Sequence, residues 1–130
     1  MKESKYKSVL LVDDSYVDNL ISRKIIEKSN FAEEITVISS PFDAINYLRN
    51  CLSSGTDLPE VIFLDIRMPE MNGFDFLKEI DLIAGFDRAK VKIFMLSSSL
   101  DPVDLRRTKE NALVSKFIGK PLTNKALQEI

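Results

Sequence analysis

The stretch Ser8-Val9-Leu10-Leu11-Val12-Asp13-Asp14 runs four apolar residues directly into two adjacent carboxylates. A short apolar run of this kind predicts a buried strand, which ends where the acidic pair begins. Four more strand-like runs follow: Ile35-Thr36-Val37-Ile38, Val61-Ile62-Phe63-Leu64, Val91-Lys92-Ile93-Phe94-Met95-Leu96 and Lys116-Phe117-Ile118. Three of the five runs are apolar almost throughout. Such runs indicate a parallel sheet that is covered on both faces.

The segments between these runs have the apolar period of helices. Three helical stripes are formed by Val17, Leu20, Ile21 and Ile25, by Ala44, Ile45, Leu48 and Leu52, and by Phe74, Leu77 and Ile80. Ser40-Pro41 and Asp101-Pro102 each place a capping side chain before a proline, and Ser54-Gly55 is typical of a helix end. A strand and a helix that alternate in this way predict a doubly wound α/β domain, a five-stranded parallel sheet with helices on both faces.

Composition limits the classes of function. The 130 residues, 45% of them apolar and 29% charged, predict a single domain over residues 1–130, with no output domain visible. A net charge of -2 argues against binding to nucleic acid. The chain has no His, which excludes a His-ligated metal and a Ser-His-Asp triad. The lone Cys51 and the lack of a signal peptide or membrane span predict a cytoplasmic protein that does not bind membranes.

Polar residues follow four of the five predicted strands. Asp13 and Asp14 follow the first, Asp65 the third, Ser97 the fourth and Lys120 the fifth. The carboxyl ends of parallel strands lie at one edge of a sheet, where doubly wound folds bind their ligands. Two carboxylates ~5 Å apart repel by roughly 3 kcal/mol at an effective dielectric of 20, so the three acidic residues predict a bound cation. Hard oxygen ligands favour Mg²⁺, and Lys120 could contact a phosphoryl oxygen.

Each of these residues also has a plainer interpretation when it is taken alone. An Asp after a strand is often a turn residue or a helix cap, and a Lys is most often a solvated charge. Ser97 alone could belong to an ordinary loop. The coincidence of all of them at the ends of four of the five strands favours a common site.

These residues give the chain a resemblance to the receiver domain of bacterial two-component response regulators. The matching motifs are L-L-V-D-D at residues 10–14, F-L-D-I-R-M-P-E-M-N-G at 63–73, M-L-S-S at 95–98 and K-P at 120–121. The resemblance covers essentially the whole chain and implies a flavodoxin-like, receiver-type fold. It also implies a signalling switch that modifies itself and is not an enzyme acting on an external substrate.

The resemblance implies a role for each residue of the site. Asp65 would accept a phosphoryl group from a sensor histidine kinase or a histidine phosphotransfer protein. Mg²⁺ would be held by Asp14, Asp65 and the backbone carbonyl of Arg67, with Asp13 acting mostly through water. Lys120 would contact the phosphoryl group, and the peptide bond before Pro121 would be cis.

Ser97 and Phe117 align with the family's switch pair, in which the hydroxyl moves toward the phosphoryl group and the aromatic ring turns inward. Phe117 lacks the hydroxyl of the more common Tyr and could also be simply a core residue. An unknown downstream protein would read the switch. The short last helix, residues 122–130, weakens the usual partner face, so a weak homodimer is the most that we expect.

Two other functions stay open. The chain could be a constitutive interaction module that has the fold but is not phosphorylated, which the intact site residues argue against. A phosphatase with an aspartyl nucleophile is disfavoured because it would have an Asp-x-Asp spacing after the first strand. A final hypothesis concerns Arg67, which could fold over the phosphoryl group and slow its loss, or could extend into solvent.

Overall fold

The computed structural model describes residues 3–99 and 101–130, which form one parallel sheet with helices on both faces. The five strands are β1 (Tyr6–Val12), β2 (Ala32–Ile38), β3 (Val61–Asp65), β4 (Lys92–Ser97) and β5 (Val114–Gly119). The helices are α1 (Tyr16–Lys28), α2 (Pro41–Ser54), α3 (Gly73–Asp81), α4 (Pro102–Glu110) and α5 (Asn124–Gln128). The predicted five-stranded doubly wound fold is therefore confirmed.

The strand order is β2-β1-β3-β4-β5, and all neighbouring strands are parallel. The chain leaves β1 in one direction along the sheet for β2 and returns past it to β3, so the order reverses between β1 and β3. Val12 pairs with Leu64, and Ser97 pairs with Gly119. This register brings the carboxyl ends of β1, β3, β4 and β5 to the same edge.

The core lies in two layers, one on each face of the sheet. One layer joins α2 and α3 to Leu10, Leu64 and Met95, and the other joins α1 and α5 to Leu11, Phe63 and Phe94. Nearly all these side chains are inaccessible to solvent. The strands are apolar throughout because each of their two faces meets a helix layer.

The predicted caps are present. The side chain of Ser40 accepts a hydrogen bond from the amide of Asp43, and that of Asp101 accepts one from the amide of Val103. Gly55 ends α2 with φ of 74°, a left-handed conformation that costs glycine little. These contacts fix where α2 and α4 begin and where α2 ends.

Helix α1 differs from the simplest interpretation of its sequence. It buries Asn19, Ser22 and Ile26, whereas its apolar stripe at Val17, Leu20 and Ile21 is exposed. The side-chain amide of Asn19 donates to the backbone carbonyl of Asp13 at 2.7 Å, which turns this polar face of the helix toward the end of β1. The exposed fractions are 60% for Val17, 42% for Leu20 and 40% for Ile21, and Tyr16 beside them is 79% exposed. An apolar surface therefore adjoins the edge of the sheet where the polar residues meet.

Candidate functional site

Three carboxylates converge where the chain reverses its direction along the sheet. Oxygens of Asp13, Asp14 and Asp65 lie within 4.8 Å of one another. Asp13 and Asp65 are buried, whereas Asp14 is exposed. The sequence prediction that these three residues meet is confirmed by this geometry, and the arrangement leaves one open side through which a cation could enter.

Lys120 reaches this cluster from the loop after β5. Its ammonium nitrogen lies 2.7 Å from Asp13 Oδ2, 2.8 Å from Asp18 Oδ2 and 3.1 Å from Asp65 Oδ1. The backbone amide of Lys120 donates to the carbonyl of Ser97 at 2.8 Å, and the Lys120–Pro121 peptide bond is cis, as predicted. The ammonium is therefore held between three acidic side chains.

Burial and electrostatic repulsion raise the pKa of Asp65. Burial raises the pKa of Asp65 to about 6, the charge of Asp13 adds to the rise, and Lys120 opposes it. Burial by itself lowers the pKa of Lys120, but hydrogen bonds to Asp13 and Asp18 and the charge of Asp65 raise it above its ordinary value on balance. The ammonium thus stays charged, whereas Asp65 carries an electrostatic cost that a second cation would relieve.

Asp18 was not identified from the sequence. It lies in the first turn of α1, four residues beyond Asp14, and its side chain is 38% exposed. Helix α1 begins at Tyr16, two residues beyond Asp14, so the spacing could have indicated that Asp18 in its first turn lies near the end of β1. Its lysine partner lies 102 residues away and could not be inferred from local sequence. Asp18 is therefore a third carboxylate, besides Asp13 and Asp65, that contacts the Lys120 ammonium.

The loop after β3 explains why residue 73, which ends the motif D-x-x-M-P-x-x-x-G that begins at Asp65, is a glycine. The amide of Gly73 donates to the carbonyl of Ile66 at 2.9 Å. A Cβ atom at Gly73 would lie 2.8 Å from the carbonyl oxygen of Asp65 and 2.8 Å from Met95 Cε. Such contacts are too close, so only glycine lets α3 begin against the end of β3.

Arg67 takes neither of the two positions considered from the sequence. Its guanidinium binds the carboxylate of Asp104, which is buried in the first turn of α4, and lies 3.6 Å from Asp101. The side chain of Arg67 is 60% exposed but is engaged with α4 and does not extend freely into solvent. The loop that carries Asp65 is therefore tied to the start of α4.

Ser97 and Phe117 lie on neighbouring strands. The Ser97 hydroxyl donates to the carbonyl of Ser99 at 3.0 Å and accepts from the amide of Ser99, so it is bonded within its own loop. Phe117 is half-buried and packs against the core. It also lines a cavity of about 440 Å³ together with Leu105 and Thr108 of α4. The ring thus has neighbouring space in which to change position.

Comparisons with known proteins identify relatives of this chain. The response regulator receiver domain profile matches residues 9–130. The probable methanogenesis regulatory protein FilR2 of Methanothrix harundinacea is 30% identical over 115 residues, which are 88% of this chain and 72% of that protein. The two-component response regulator ORR1 of Oryza sativa subsp. japonica is 31% identical over 124 residues, 94% of this chain and 52% of that protein. The chain thus spans only about half the length of the rice relative.

Solved structures show the same likeness. A two-component response regulator from Cytophaga hutchinsonii superposes with a TM-score of 0.89 at 34% identity, covering 96% of this chain and 93% of that one. Across residues 3–99 and 101–130, no helix combines the length and the apolar character that crossing a membrane requires. The chain belongs to the response regulator receiver domain family, the phosphorylation-controlled signalling modules of two-component systems.

Proposed function

We propose that Asp65 is the phosphoacceptor of this receiver and that its donor is a phosphohistidine on a sensor histidine kinase or a histidine phosphotransfer protein. The observation that carries the proposal is the contact of the Lys120 ammonium with Asp65 Oδ1, at 3.1 Å, beside the cluster of three carboxylates. A carboxylate reacts poorly with an anionic phosphoryl group unless nearby positive charge offsets the repulsion. Asp65 has one such charge at contact distance.

The residues present fit a magnesium ion. Receiver domains bind Mg²⁺ through an acidic cluster, and here Asp13, Asp14, Asp65 and the carbonyl of Arg67 are the proposed ligands. All are oxygen donors, which Mg²⁺ prefers, and the exposed Asp14 leaves the site open to water and phosphate. Bound Mg²⁺ would supply charge neutralisation for the transferring phosphoryl oxygens.

The proposed phosphoryl transfer is a displacement at phosphorus. An oxygen of the Asp65 carboxylate attacks phosphorus, the phosphorus–nitrogen bond to the donor imidazole breaks, and the imidazole nitrogen keeps the electron pair. Lys120 contacts a phosphoryl oxygen and offsets its charge. The product is an acyl phosphate on Asp65, whose phosphoryl group carries about two negative charges in place of the single charge of the carboxylate.

We further propose that Ser97 and Phe117 transmit this change. A new phosphoryl oxygen offers the Ser97 hydroxyl a charged acceptor in place of the carbonyl of Ser99, and hydrogen bonds to charged groups are the stronger. Movement of Ser97 would leave room for Phe117 to turn from the α4 side toward the core. A downstream protein that contacts α4 and β5 would read the difference.

The donor has a suitable docking surface on α1. Tyr16, Val17, Leu20 and Ile21 form an exposed apolar stripe whose first member lies two residues beyond Asp14. A donor must cover the edge of the sheet to bring its histidine to Asp65, and it would then bury this stripe. We place the protein in the cytoplasm, where donor kinase domains act.

The test uses acetyl phosphate and Mg²⁺ as a small phosphodonor system, with intact mass spectrometry as the readout. The wild-type protein should gain one phosphoryl group, and Asp65→Asn should gain none. Asp57→Asn is the matched control, because Asp57 is an exposed carboxylate that pairs with Lys7 and lies outside the acidic cluster. Labelling that persists in Asp65→Asn would overturn the assignment, and no labelling of the wild type would favour the interaction module.

A further inference from the structure

We propose that Asp18 is a positioning residue for phosphoryl transfer, which holds the Lys120 ammonium beside Asp65 while a divalent cation occupies Asp13, Asp14 and Asp65. The inference rests on the proposed function of Asp65 and Lys120. Asp18 contacts neither a proposed metal ligand nor the phosphoryl group in this scheme. It acts only through Lys120.

The contacts of Lys120 divide into two kinds. An ammonium has three donors, and here they face Asp13 at 2.7 Å, Asp18 at 2.8 Å and Asp65 at 3.1 Å. Two of these partners belong to the carboxylate cluster that could hold a cation, and Asp18 does not. If a cation occupied the cluster, Asp18 would therefore be the one partner of this set that still binds only Lys120.

Two positive charges would compete at this site. A divalent cation bound by the cluster would share oxygens with Lys120 and would repel its ammonium, because the cluster and the ammonium lie within a few ångströms of one another. Phosphoryl transfer needs both charges next to Asp65 at once. A carboxylate that binds the ammonium without belonging to the cluster resolves the conflict, and Asp18 is such a group.

Both members of the pair are anchored through their backbones. The amide of Asp18 donates to the capping hydroxyl of Ser15 at 3.2 Å, and the amide of Lys120 donates to the carbonyl of Ser97 at 2.8 Å. Only 11% of the Lys120 side chain is exposed. The Asp18 carboxylate therefore contacts the ammonium from a fixed point at the start of α1.

Asp18 could also act only by stabilising the start of α1, and the chain contains a matched control for that structural role. An acidic residue in the first turn stabilises a helix by its charge, wherever its side chain points. Asp43 has the same position in α2: it follows the cap Ser40 by three residues, and its amide donates to the Ser40 hydroxyl at 3.4 Å. Asp43 is exposed and is not among the carboxylates that contact Lys120. Asp43→Asn therefore removes the helix effect alone.

The decisive measurement is the reactivity of Lys120 toward acetic anhydride, followed by peptide mass spectrometry with and without Mg²⁺. Lys116 and Lys125 serve as internal references. In the wild type and in Asp43→Asn, Mg²⁺ should leave the relative reactivity of Lys120 low. In Asp18→Asn, Mg²⁺ should raise it several-fold, because the repelled ammonium has lost its remaining partner. The same Mg²⁺ response in Asp43→Asn, or no response in Asp18→Asn, overturns the proposal.

Phosphorylation supplies the second readout. With saturating Mg²⁺, labelling by acetyl phosphate should be about tenfold slower in Asp18→Asn, the cost of one hydrogen bond to a charged group. Asp18→Glu should restore part of the rate, and in a Lys120→Met background Asp18→Asn should have no further effect. An undiminished rate in Asp18→Asn overturns the proposal. If acetyl phosphate fails to label the wild type, the proposed function falls, and the Lys120 reactivity, which needs no phosphoryl group, still decides whether Asp18 holds the ammonium. If the wild type does not bind Mg²⁺, both fall.

Discussion

The guanidinium of Arg67, two residues beyond Asp65, binds the buried carboxylate of Asp104 in the first turn of α4. Arg67 can therefore reach a phosphoryl group on Asp65 only by leaving Asp104 and its second partner, Asp101. A phosphoryl dianion on Asp65 would compete with Asp101 and Asp104 for the Arg67 side chain. Loss of this tie would also change how firmly α4 is held beside β5.

Phosphoryl lifetime should respond to this competition. Arg67→Ala should shorten the lifetime of phosphorylated Asp65, because no side chain would shield the group from water. Asp104→Asn should lengthen it by about fivefold, the effect of releasing one partly exposed ion pair. Decay of the phosphoryl mass increment after removal of acetyl phosphate, at constant Mg²⁺, measures both.

Arg106→Ala is the control for this experiment, since Arg106 is an exposed arginine on α4, the helix that carries Asp104. In an Arg67→Ala background, Asp104→Asn should leave the lifetime unchanged. A lifetime in Arg67→Ala that equals or exceeds that of the wild type would show that Arg67 is not a shield.

Asp65 should make the stability of the metal-free protein depend on pH. Its pKa is raised from 3.8 to about 6 by burial first and by the charge of Asp13 second. Between these two values the folded chain holds a proton that the unfolded chain has lost, so the free energy of unfolding falls as the pH rises from about 4 to about 6. Asp65→Asn should remove this fall and add about 3 kcal/mol at pH 7.

Urea unfolding in EDTA at several pH values tests this expectation. Wild type and Asp65→Asn should have similar stability near pH 3.5 and should separate as the pH rises. Curves that stay parallel from pH 4 to pH 7 would mean that Asp65 is ionised in the folded protein throughout that range.

Mg²⁺ should raise the melting temperature of the unphosphorylated protein by mass action. Asp14→Asn removes one ligand from the carboxylate cluster and should weaken Mg²⁺ binding by about tenfold or more. It should not destabilise the metal-free protein, because Asp14 is exposed and its charge repels its neighbours. Calorimetric titration gives the affinity. An unchanged affinity together with a less stable metal-free protein would identify Asp14 as a structural residue at the start of α1.

Gly73→Ala should destabilise the fold by about 2 kcal/mol, since a new methyl group would overpack the end of β3. The methyl group would lie 2.8 Å from both the carbonyl oxygen of Asp65 and Met95 Cε, so relief requires the backbone at the end of β3 to shift as well as the Met95 side chain. Thermal unfolding in EDTA should show the loss, and labelling by acetyl phosphate should slow at a temperature where the variant is still folded. A variant as stable as the wild type would show that α3 can move away without cost.

Much of the fold could be predicted because its signals are local. Apolar runs and capping pairs such as Ser40-Pro41 depend on neighbouring residues alone, so the strands and the starts of the helices were found. The first strand begins three residues earlier than the apolar run, at Tyr6, because pairing with β2 extends it. Helix α1 was found, but not the face that it buries, because the hydrogen bond of Asn19 to Asp13 sets its orientation.

The site was predictable to the same extent. Asp13, Asp65 and Lys120 could be brought together because parallel strands end at one edge. The partners of Lys120 and Arg67 on helices could not, because the Asp18 and Asp104 contacts depend on how α1 and α4 sit against the sheet. Asp18 and Asp104, the two carboxylates that the sequence did not identify, both lie in the first turn of a helix. An acidic residue there stabilises the helix terminus, so its position alone does not indicate a specific ion-pair partner.

The span of the Lys120 contact has a consequence for the protein during its synthesis. Lys120 lies 107 residues beyond Asp13 and reaches the site from the loop after the last strand. A nascent chain whose final strand is still inside the ribosome therefore carries the acidic residues without the ammonium that activates the proposed acceptor. We therefore expect the proposed acceptor to respond to its donor only after the whole domain has emerged and folded, so that incomplete chains draw no phosphoryl groups from the signalling pathway.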